Sequence, residues 1–175
     1  MLENAGISYI LVEASEIGSG TTKNTTAKIT SQHGLIYNKL EREFDIEYAK
    51  KYLQINENAL DKFRELCKNI DCDFEEKDSF VYSLNNRKKI EDELTTLEKI
   101  EFKAEFSDKL PLPFSVDGAV KFPKQAQFNP LKFIYEISKN LNIYEHTPVR
   151  EFIGTTAVTD LSLIHISEPT RLRCI

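Results

Sequence analysis

The chain has 175 residues, a formal net charge of −5, and 41% hydrophobic and 29% charged residues, a composition typical of soluble globular proteins with one domain or two small lobes. The acidic balance argues against nucleic acid or an anionic membrane as the partner. No apolar run is long enough to span a bilayer, and the N-terminus lacks the basic and apolar regions of a signal peptide. We therefore expect a cytoplasmic protein, and the composition does not indicate an oligomeric state.

The N-terminal residues are typical of the second half of a βαβ unit. Residues 2–6 predict the last turn of a helix, which Gly6 ends. The apolar, β-branched run Ile7–Val12 then predicts a strand buried on both faces of a parallel sheet. We expect the first strand and most of the crossover helix to precede Met1.

Further along the chain, apolar periodicity predicts helices and short strands in alternation. Helices are expected at residues 35–44, 46–70 and 88–100, and a fourth should begin at Asn129-Pro130, with Asn as the cap and Pro at the first helical position. Strands are expected at residues 73–76, 80–84, 101–106, 119–122, 142–145 and 149–153.

This order of elements predicts an α/β nucleotide-binding lobe with an α+β insert. The nucleotide-binding lobe would comprise residues 1–43 and 115–160, and the insert residues 44–114. The short alternating patterns at residues 80–84, 101–106 and 119–122 predict strands of one sheet.

Glu13 follows the predicted strand directly. In dinucleotide-binding folds an acidic residue at the end of the second strand binds the ribose hydroxyls, because a carboxylate can accept two hydrogen bonds from a vicinal diol. A solvated glutamate at a strand end has the same pattern, and Glu13 would suit NAD as well as FAD. The glycine turn G-x-G-x-x-G, which normally supports this assignment, would lie before Met1.

The segment after Glu13 is rich in Gly, Ser and Thr over residues 17–28. Such a loop can surround a pyrophosphate and a sugar-alcohol chain without bulky side chains. Thr25 or Thr26 could also cap a following helix whose N-terminus favours an anion. A plain Ser/Thr-rich loop with a helix cap is the alternative.

Two passages resemble the D-amino-acid oxidase-like FAD-dependent oxidoreductases, the superfamily of glycine oxidase and sarcosine oxidase. The first is Leu11-Val12-Glu13-Ala14 followed by Ile17-Gly18-Ser19-Gly20-Thr21-Thr22. The second is Ala126-Gln127-Phe128-Asn129-Pro130-Leu131 with Glu145-His146-Thr147-Pro148-Val149. The resemblance covers residues 1 to about 160 and implies a partial Rossmann-like FAD-binding lobe plus a substrate lobe.

The resemblance also implies a function: the whole protein would oxidise a C–N bond of a small amine or amino acid. Glu13 would bind the adenosine ribose, residues 19–26 would line the pyrophosphate, ribityl and flavin side of FAD, and the Val149 backbone would hold the adenine. Because no His or Cys stands at residues 23–28, bound FAD would be non-covalent. The implied cofactor-binding residues are Glu13, Ser19, Gly20, Thr21, Thr22, Asn24, Thr25, Thr26 and Val149; no catalytic residue is implied.

The run Thr25–Thr30 resembles the subgroup whose members often carry an added C-terminal Rieske iron–sulfur domain. The Cys/His pairs of such a domain do not occur in this sequence, and its three sparse cysteines indicate reduced thiols rather than a disulfide framework or a metal site. The cysteines are Cys67, Cys72 and Cys174, and the isolated histidines are His33, His146 and His165.

The C-terminal residues depart from the family pattern. Residues 161–171 match the expected translation of a transposon-end adapter used in sequencing libraries, so we expect residues 161–175 to be a non-native tail and the fragment to be inactive alone. Two other interpretations stay open: a non-catalytic α+β binding module that uses the helix from Ile46, and a fragment of an NAD-dependent oxidoreductase.

Overall fold

The computed structural model describes Leu2, residues 5–160 and residues 163–165. It has a mixed α/β fold with two compact units: unit 1 comprises Met1–Thr25 and Pro130–Ile175, and unit 2 comprises Thr26–Asn129. The helices are α1 (Tyr37–Glu43), α2 (Ile46–Cys67), α3 (Arg87–Lys99) and α4 (Pro130–Ser138). The strands are β1 (Leu11–Val12), β2 (Lys28–Ile29), β3 (Glu75–Ser83), β4 (Glu105–Ser107), β5 (Gly118–Gln127), β6 (Ile143–Tyr144), β7 (Val149–Ile153), β8 (Thr156–Thr159) and β9 (Leu163–His165). None of the helices in the described ranges is long and apolar enough to cross a membrane.

The units divide at residues 25/26 and 129/130, whereas the sequence predicted lobe boundaries at 43/44 and 114/115. Residues 26–43 and 115–129 supply β2, α1 and β5, which complete the sheet and the core of unit 2. Tyr37 of α1 and Phe122 of β5, for example, are fully buried in one hydrophobic cluster and stack with ring centroids 5.9 Å apart. The identification of the two parts as an FAD-binding lobe and a substrate lobe stays a prediction.

Strand β5 is the centre of the unit 2 sheet. Antiparallel β3 follows one of its edges from Ser83 opposite Gly118 to Glu75 opposite Gln127, with a register shift after Lys77. The other edge is shared by β4 and β2, both antiparallel to β5. The prediction that residues 80–84, 101–106 and 119–122 contribute to one sheet is therefore confirmed.

Helices α1, α2 and α3 pack against this sheet around an apolar core. The starts of α2 and α3 are capped as their sequences favour: the Asp45 side chain accepts the Tyr48 N–H at 2.7 Å, and the Asn86 side chain accepts the Lys89 N–H at 3.1 Å. The buried core residues are Tyr37, Leu40, Ala49, Leu53, Ile90, Leu97, Ile100, Val120 and Phe122.

Unit 1 contains a parallel pair of β1 and β6, then α4 and the antiparallel sheet β7–β8–β9. Helix α4 begins at Pro130, as predicted. The turn before β1 has the geometry of a helix end, because Gly6 has φ +66° and the Ile7 N–H donates to the Leu2 carbonyl at 3.0 Å.

The prediction of a buried strand over Ile7–Val12 is wrong. Only Leu11 and Val12 are in a strand, and Ile7, Ile10 and Leu11 are 52%, 50% and 40% exposed. Within the described residues β1 pairs only with β6, so one edge of β1 and much of its apolar surface have no covering element.

Three further differences concern the strands. Residues 75–83 form one continuous strand instead of two short ones, because β5 pairs along its whole length. Residues 101–104 lie outside β4, and Glu101 has a left-handed backbone with φ +63°. Strands β2, β8 and β9 were not predicted.

Of the expected non-native tail, residues 163–165 form β9 beside β8. Residues 161–162 and 166–175, including Cys174, lie outside the described residues.

Candidate functional site

The candidate site in unit 1 lies where β1 and β6 end. The Leu11 N–H donates to the Asn142 carbonyl at 3.0 Å, and the Glu13 N–H donates to the Tyr144 carbonyl at 2.9 Å. Because the strands are parallel, their carboxyl ends meet at one edge. Parallel sheets bind nucleotides at this edge, and Glu13 lies there, as the sequence predicted.

Backbone hydrogen bonds fasten the loop after β1 to the loop after β6. The Thr147 N–H donates to the Glu13 carbonyl and the His146 N–H to the Ser15 carbonyl, both at 2.8 Å. The Ile17 N–H donates to Oε1 of Glu145 at 2.6 Å. The loop that carries Glu13 is thus held by two main-chain hydrogen bonds and by the Glu145 side chain, none of which requires a particular side chain at position 13.

Glu13 is a partly exposed residue, and its carboxylate has one internal partner. Its Oε1 accepts the Ser15 N–H at 2.9 Å. In the described part of the chain, no other hydrogen bond reaches this carboxylate. Its other oxygen is therefore open to a ligand hydroxyl, while the Ser15 contact restricts the rotation of the side chain.

The loop at residues 18–24 is a compact turn built on two glycines with positive φ, +74° at Gly18 and +70° at Gly20. A Cβ at Gly18 would lie 2.8 Å from Cδ2 of Leu131 in α4, so the Leu131 side chain would have to move to accept any larger residue. A short 3₁₀ helix, Thr22–Asn24, closes the turn, and the Asn24 side-chain amide donates to the Gly20 carbonyl at 2.7 Å. The side-chain amide of Asn24 therefore stabilises the loop that contains the residues predicted to bind the pyrophosphate.

The expected helix cap at Thr25 or Thr26 is wrong. Strand β2, not a helix, follows these threonines, because Lys28 and Ile29 pair with Gln127 and Ala126 of β5. Thr25 is the last residue of the first segment of unit 1, and Thr26 is the first residue of unit 2.

Val149 is the first residue of β7, where it lies opposite Thr159 of β8. It is half-buried and follows Thr147, which is 3% exposed. Thr147 is held at the candidate edge because its N–H donates to the Glu13 carbonyl, and Val149 follows two residues later in the chain. The ribose role of Glu13 and the adenine role of the Val149 backbone stay predictions, and the sequence did not predict the hydrogen bond that connects their loops.

Unit 2 contains a pocket of about 300 Å³, which the sequence did not reveal. We call it the unit 2 pocket. Its lining combines aromatic and aliphatic side chains with two lysines and one aspartate. The lining residues are Lys28, Thr30, Lys77, Asp78, Ser79, Phe80, Tyr82, Leu110, Pro111, Leu112, Gln125, Ala126 and Gln127. The only signal in the sequence is the alternation of Phe80 and Tyr82, which puts both rings on one face of β3.

Comparison with known proteins relates the chain to flavoenzymes. YhfW of Bacillus subtilis (strain 168), which carries the name of a Rieske 2Fe-2S iron-sulfur protein, is 33% identical over 155 residues, which cover 83% of this chain and 30% of YhfW. This relation agrees with the subgroup that residues 25–30 resemble.

Solved structures share the fold. Glycine oxidase from Bacillus cereus ATCC 14579 matches with a TM-score of 0.63 at 21% identity, covering 94% of this chain and 48% of that one. Glycine oxidase from Geobacillus kaustophilus matches with a TM-score of 0.57 at 16% identity, covering 88% and 45%. L-Amino acid deaminase from Proteus myxofaciens, in complex with anthranilate, matches with a TM-score of 0.59 at 14% identity, covering 94% and 39%.

The chain thus spans less than half the length of each of these relatives. The model of the family described as FAD dependent oxidoreductase matches residues 1–168, nearly the whole chain. The chain therefore belongs to the FAD dependent oxidoreductase family.

Proposed function

We propose that this chain is part of an FAD-dependent enzyme that oxidises a C–N bond of an amine or amino acid. The observation that carries the proposal is the position of Glu13, which lies at the carboxyl edge of the parallel β1–β6 pair in the loop that leads to a glycine turn. Family membership supports FAD over NAD, and the fold shared with glycine oxidase and L-amino acid deaminase supports an amine or amino-acid substrate.

The residues present fit FAD. One carboxyl oxygen of Glu13 accepts no internal hydrogen bond in the described part of the chain and can accept one from a ribose hydroxyl. At Gly20, where no atom lies within 4 Å of the position of a Cβ, the missing side chain lets a pyrophosphate approach the backbone, whereas Gly18 packs against Leu131. The proposed cofactor-binding residues are Glu13, Ser19, Gly20, Thr21, Thr22, Asn24, Thr25, Thr26 and Val149.

When bound, FAD supplies the two-electron acceptor for the oxidation. The residues of this chain bind and orient it. Glu13 would anchor the ribose through a charge-assisted hydrogen bond, and the hydrogen bonds between residues 13–17 and 144–147 hold the loop that carries it. The hydroxyls of Ser19, Thr21 and Thr22 would donate to the phosphates. No residue of the chain is proposed to transfer a proton in the reaction.

The test is the affinity of the full-length protein for FAD, measured by flavin fluorescence during titration of the apoprotein. Replacing Glu13 by Ala removes a hydrogen bond between a charged group and ribose, which is worth about 1.5–3 kcal/mol, so we expect the Kd to rise by about 10- to 150-fold. Glu16→Ala is the matched control, because Glu16 is an exposed glutamate three residues away whose side chain lies in no described contact.

An unchanged Kd in Glu13→Ala would show that the ribose assignment is wrong. The same titration with NAD separates the two dinucleotides. Saturable NAD binding that depends on Glu13, without FAD binding, would reject the flavin proposal. If neither dinucleotide binds, both oxidoreductase interpretations are rejected, and the non-catalytic binding module is the interpretation left to test.

A further inference from the structure

We propose that Glu145 is a positioning residue for FAD, whose carboxylate keeps the glycine loop, residues 18–24, in the conformation that accepts the cofactor. The inference rests on the proposed function for the cofactor and on the geometry of unit 1 for the residue. Ile17 directly precedes the glycine loop, and its N–H donates to Oε1 of Glu145 at 2.6 Å, across 128 residues of sequence. A hydrogen bond of this length between an N–H group and a carboxylate is charge-assisted.

The glycine loop has internal hydrogen bonds that shape it but do not connect it to β6. The Lys23 N–H donates to the Gly18 carbonyl at 3.1 Å. The Asn24 side-chain amide donates to the Gly20 carbonyl at 2.7 Å. The bond from Ile17 to Glu145 instead connects the start of the loop to the segment after β6, so it determines where the loop lies relative to the carboxyl edge of the β1–β6 pair.

The backbone of Glu145 is itself held in place. The Thr147 hydroxyl donates to the Glu145 carbonyl at 2.9 Å, and Thr147 is 3% exposed. Between them His146 has a left-handed backbone with φ +50°, and its N–H donates to the Ser15 carbonyl at 2.8 Å. The Glu145 carboxylate therefore extends from an ordered turn, which lowers the entropy cost of its bond to Ile17.

This arrangement predicts a kinetic signature. Glycines give a loop many accessible conformations, and a cofactor binds only the fraction of molecules in which the loop is in the competent one. The Glu145 bond raises that fraction before binding. In the bound state the loop is also held by its contacts with the cofactor. Loss of the Glu145 bond should therefore slow association, whereas loss of a group that contacts FAD, as proposed for Glu13, should speed dissociation.

Stopped-flow flavin fluorescence with the full-length apoprotein measures both rates. We expect Glu145→Ala to lower the association rate constant by about three- to tenfold, the value of one hydrogen bond, and to leave the dissociation rate within about twofold of the wild type. Glu145→Gln should keep both rates near the wild type, because its amide oxygen can accept the same N–H. Glu151→Ala is the matched control, because Glu151 is an exposed glutamate on β7 whose side chain lies in no described contact.

Hydrogen exchange tests the positioning role without the cofactor. In the apoprotein, we expect the amides of residues 17–24 to exchange about three- to tenfold faster in Glu145→Ala than in the wild type or Glu145→Gln. The midpoint of urea unfolding should stay unchanged, because Glu145 is exposed and outside the apolar core. A lower midpoint with an unchanged association rate would assign Glu145 a merely structural role and overturn the inference.

The remaining outcomes separate this inference from the proposed function. An unchanged association rate in Glu145→Ala, while Glu13→Ala still speeds dissociation, overturns the positioning role and leaves the proposed function intact. Faster dissociation from Glu145→Ala shows direct contact with FAD and also overturns it, as does an equal loss in the Ala and Gln variants. A wild-type protein that does not bind FAD overturns the proposed function and, with it, the role of Glu145.

Discussion

Glu93 stabilises unit 2 in a way that a mutation can measure. Its side chain, 1% exposed, projects from α3 and caps α1, which has no side-chain cap of its own. The Tyr37 N–H donates to Oε1 at 2.9 Å, and the Asn38 N–H donates to Oε2 at 2.8 Å. These are two of the helix N-terminal donors that lack intrahelical partners.

Replacing Glu93 by Ala would leave both N–H groups without an acceptor. Each buried unsatisfied donor costs about 1–3 kcal/mol, so we expect the two together to lower the free energy of unfolding by about 2–6 kcal/mol. Glu93→Gln keeps one acceptor oxygen but turns an NH₂ group toward the second N–H, and should cost about 1–3 kcal/mol. Total domain stability is only about 5–15 kcal/mol, so both losses are measurable.

The pH dependence gives a sharper test. Burial raises the pKa of Glu93, although the N–H groups of Asn38 and Tyr37 oppose the shift. The folded state therefore binds this proton more tightly than the unfolded state. The stability contributed by this carboxyl is complete below its unfolded pKa and is lost as the pH rises through the raised folded pKa. The advantage of the wild type over Glu93→Gln should be largest below the ordinary pKa of a glutamate and shrink as the pH rises above it.

Urea unfolding monitored by circular dichroism at 222 nm provides the assay, because three of the four described helices belong to unit 2. Subtracting the Glu93→Gln curve from the wild-type curve at each pH removes the titration of other groups. A difference that is constant, or that grows with pH, would show that the two N–H donors outweigh burial and that the reasoning is wrong. A loss below about 0.5 kcal/mol for Glu93→Ala would refute the capping role itself.

Two further predictions test local packing. Gly18→Ala and Gly20→Ala introduce similar backbone strain, because both glycines have positive φ. The new Cβ at position 18 would lie 2.8 Å from Leu131, whereas at position 20 nothing lies within 4 Å. Gly18→Ala should therefore cost about 1–3 kcal/mol more in urea unfolding, and equal losses would argue against the contact. Burial and the neighbouring Cys72 raise the pKa of Cys67 to about 12, and both thiols are at most 6% exposed. Mass spectrometry after treatment with N-ethylmaleimide at pH 8 should find both unmodified in the native protein and alkylated in urea, and rapid native labelling would contradict this.

Several features of this protein follow from short stretches of sequence. Asn129-Pro130 starts α4 because a capping side chain and a fixed proline φ act locally. Helices α2 and α3 follow their apolar periodicity and begin at Asp45 and Asn86. Glu13 could be assigned to the end of β1 because it directly follows the apolar run in the sequence.

Other features depend on contacts between distant segments, which no local pattern encodes. Thr26 precedes a strand, not a helix, because β5 supplies hydrogen bonds to Lys28 and Ile29 from the far end of unit 2. In the sequence, Glu93 is one of several charged residues on an amphipathic helix. It caps α1 only because α1 packs against α3. Lys28 gains an apolar neighbourhood only when β2, β3 and residues 110–112 come together. Local propensities determine which segments become helices, whereas strand pairing and the burial of charged groups depend on which partners the tertiary structure brings within hydrogen-bonding distance.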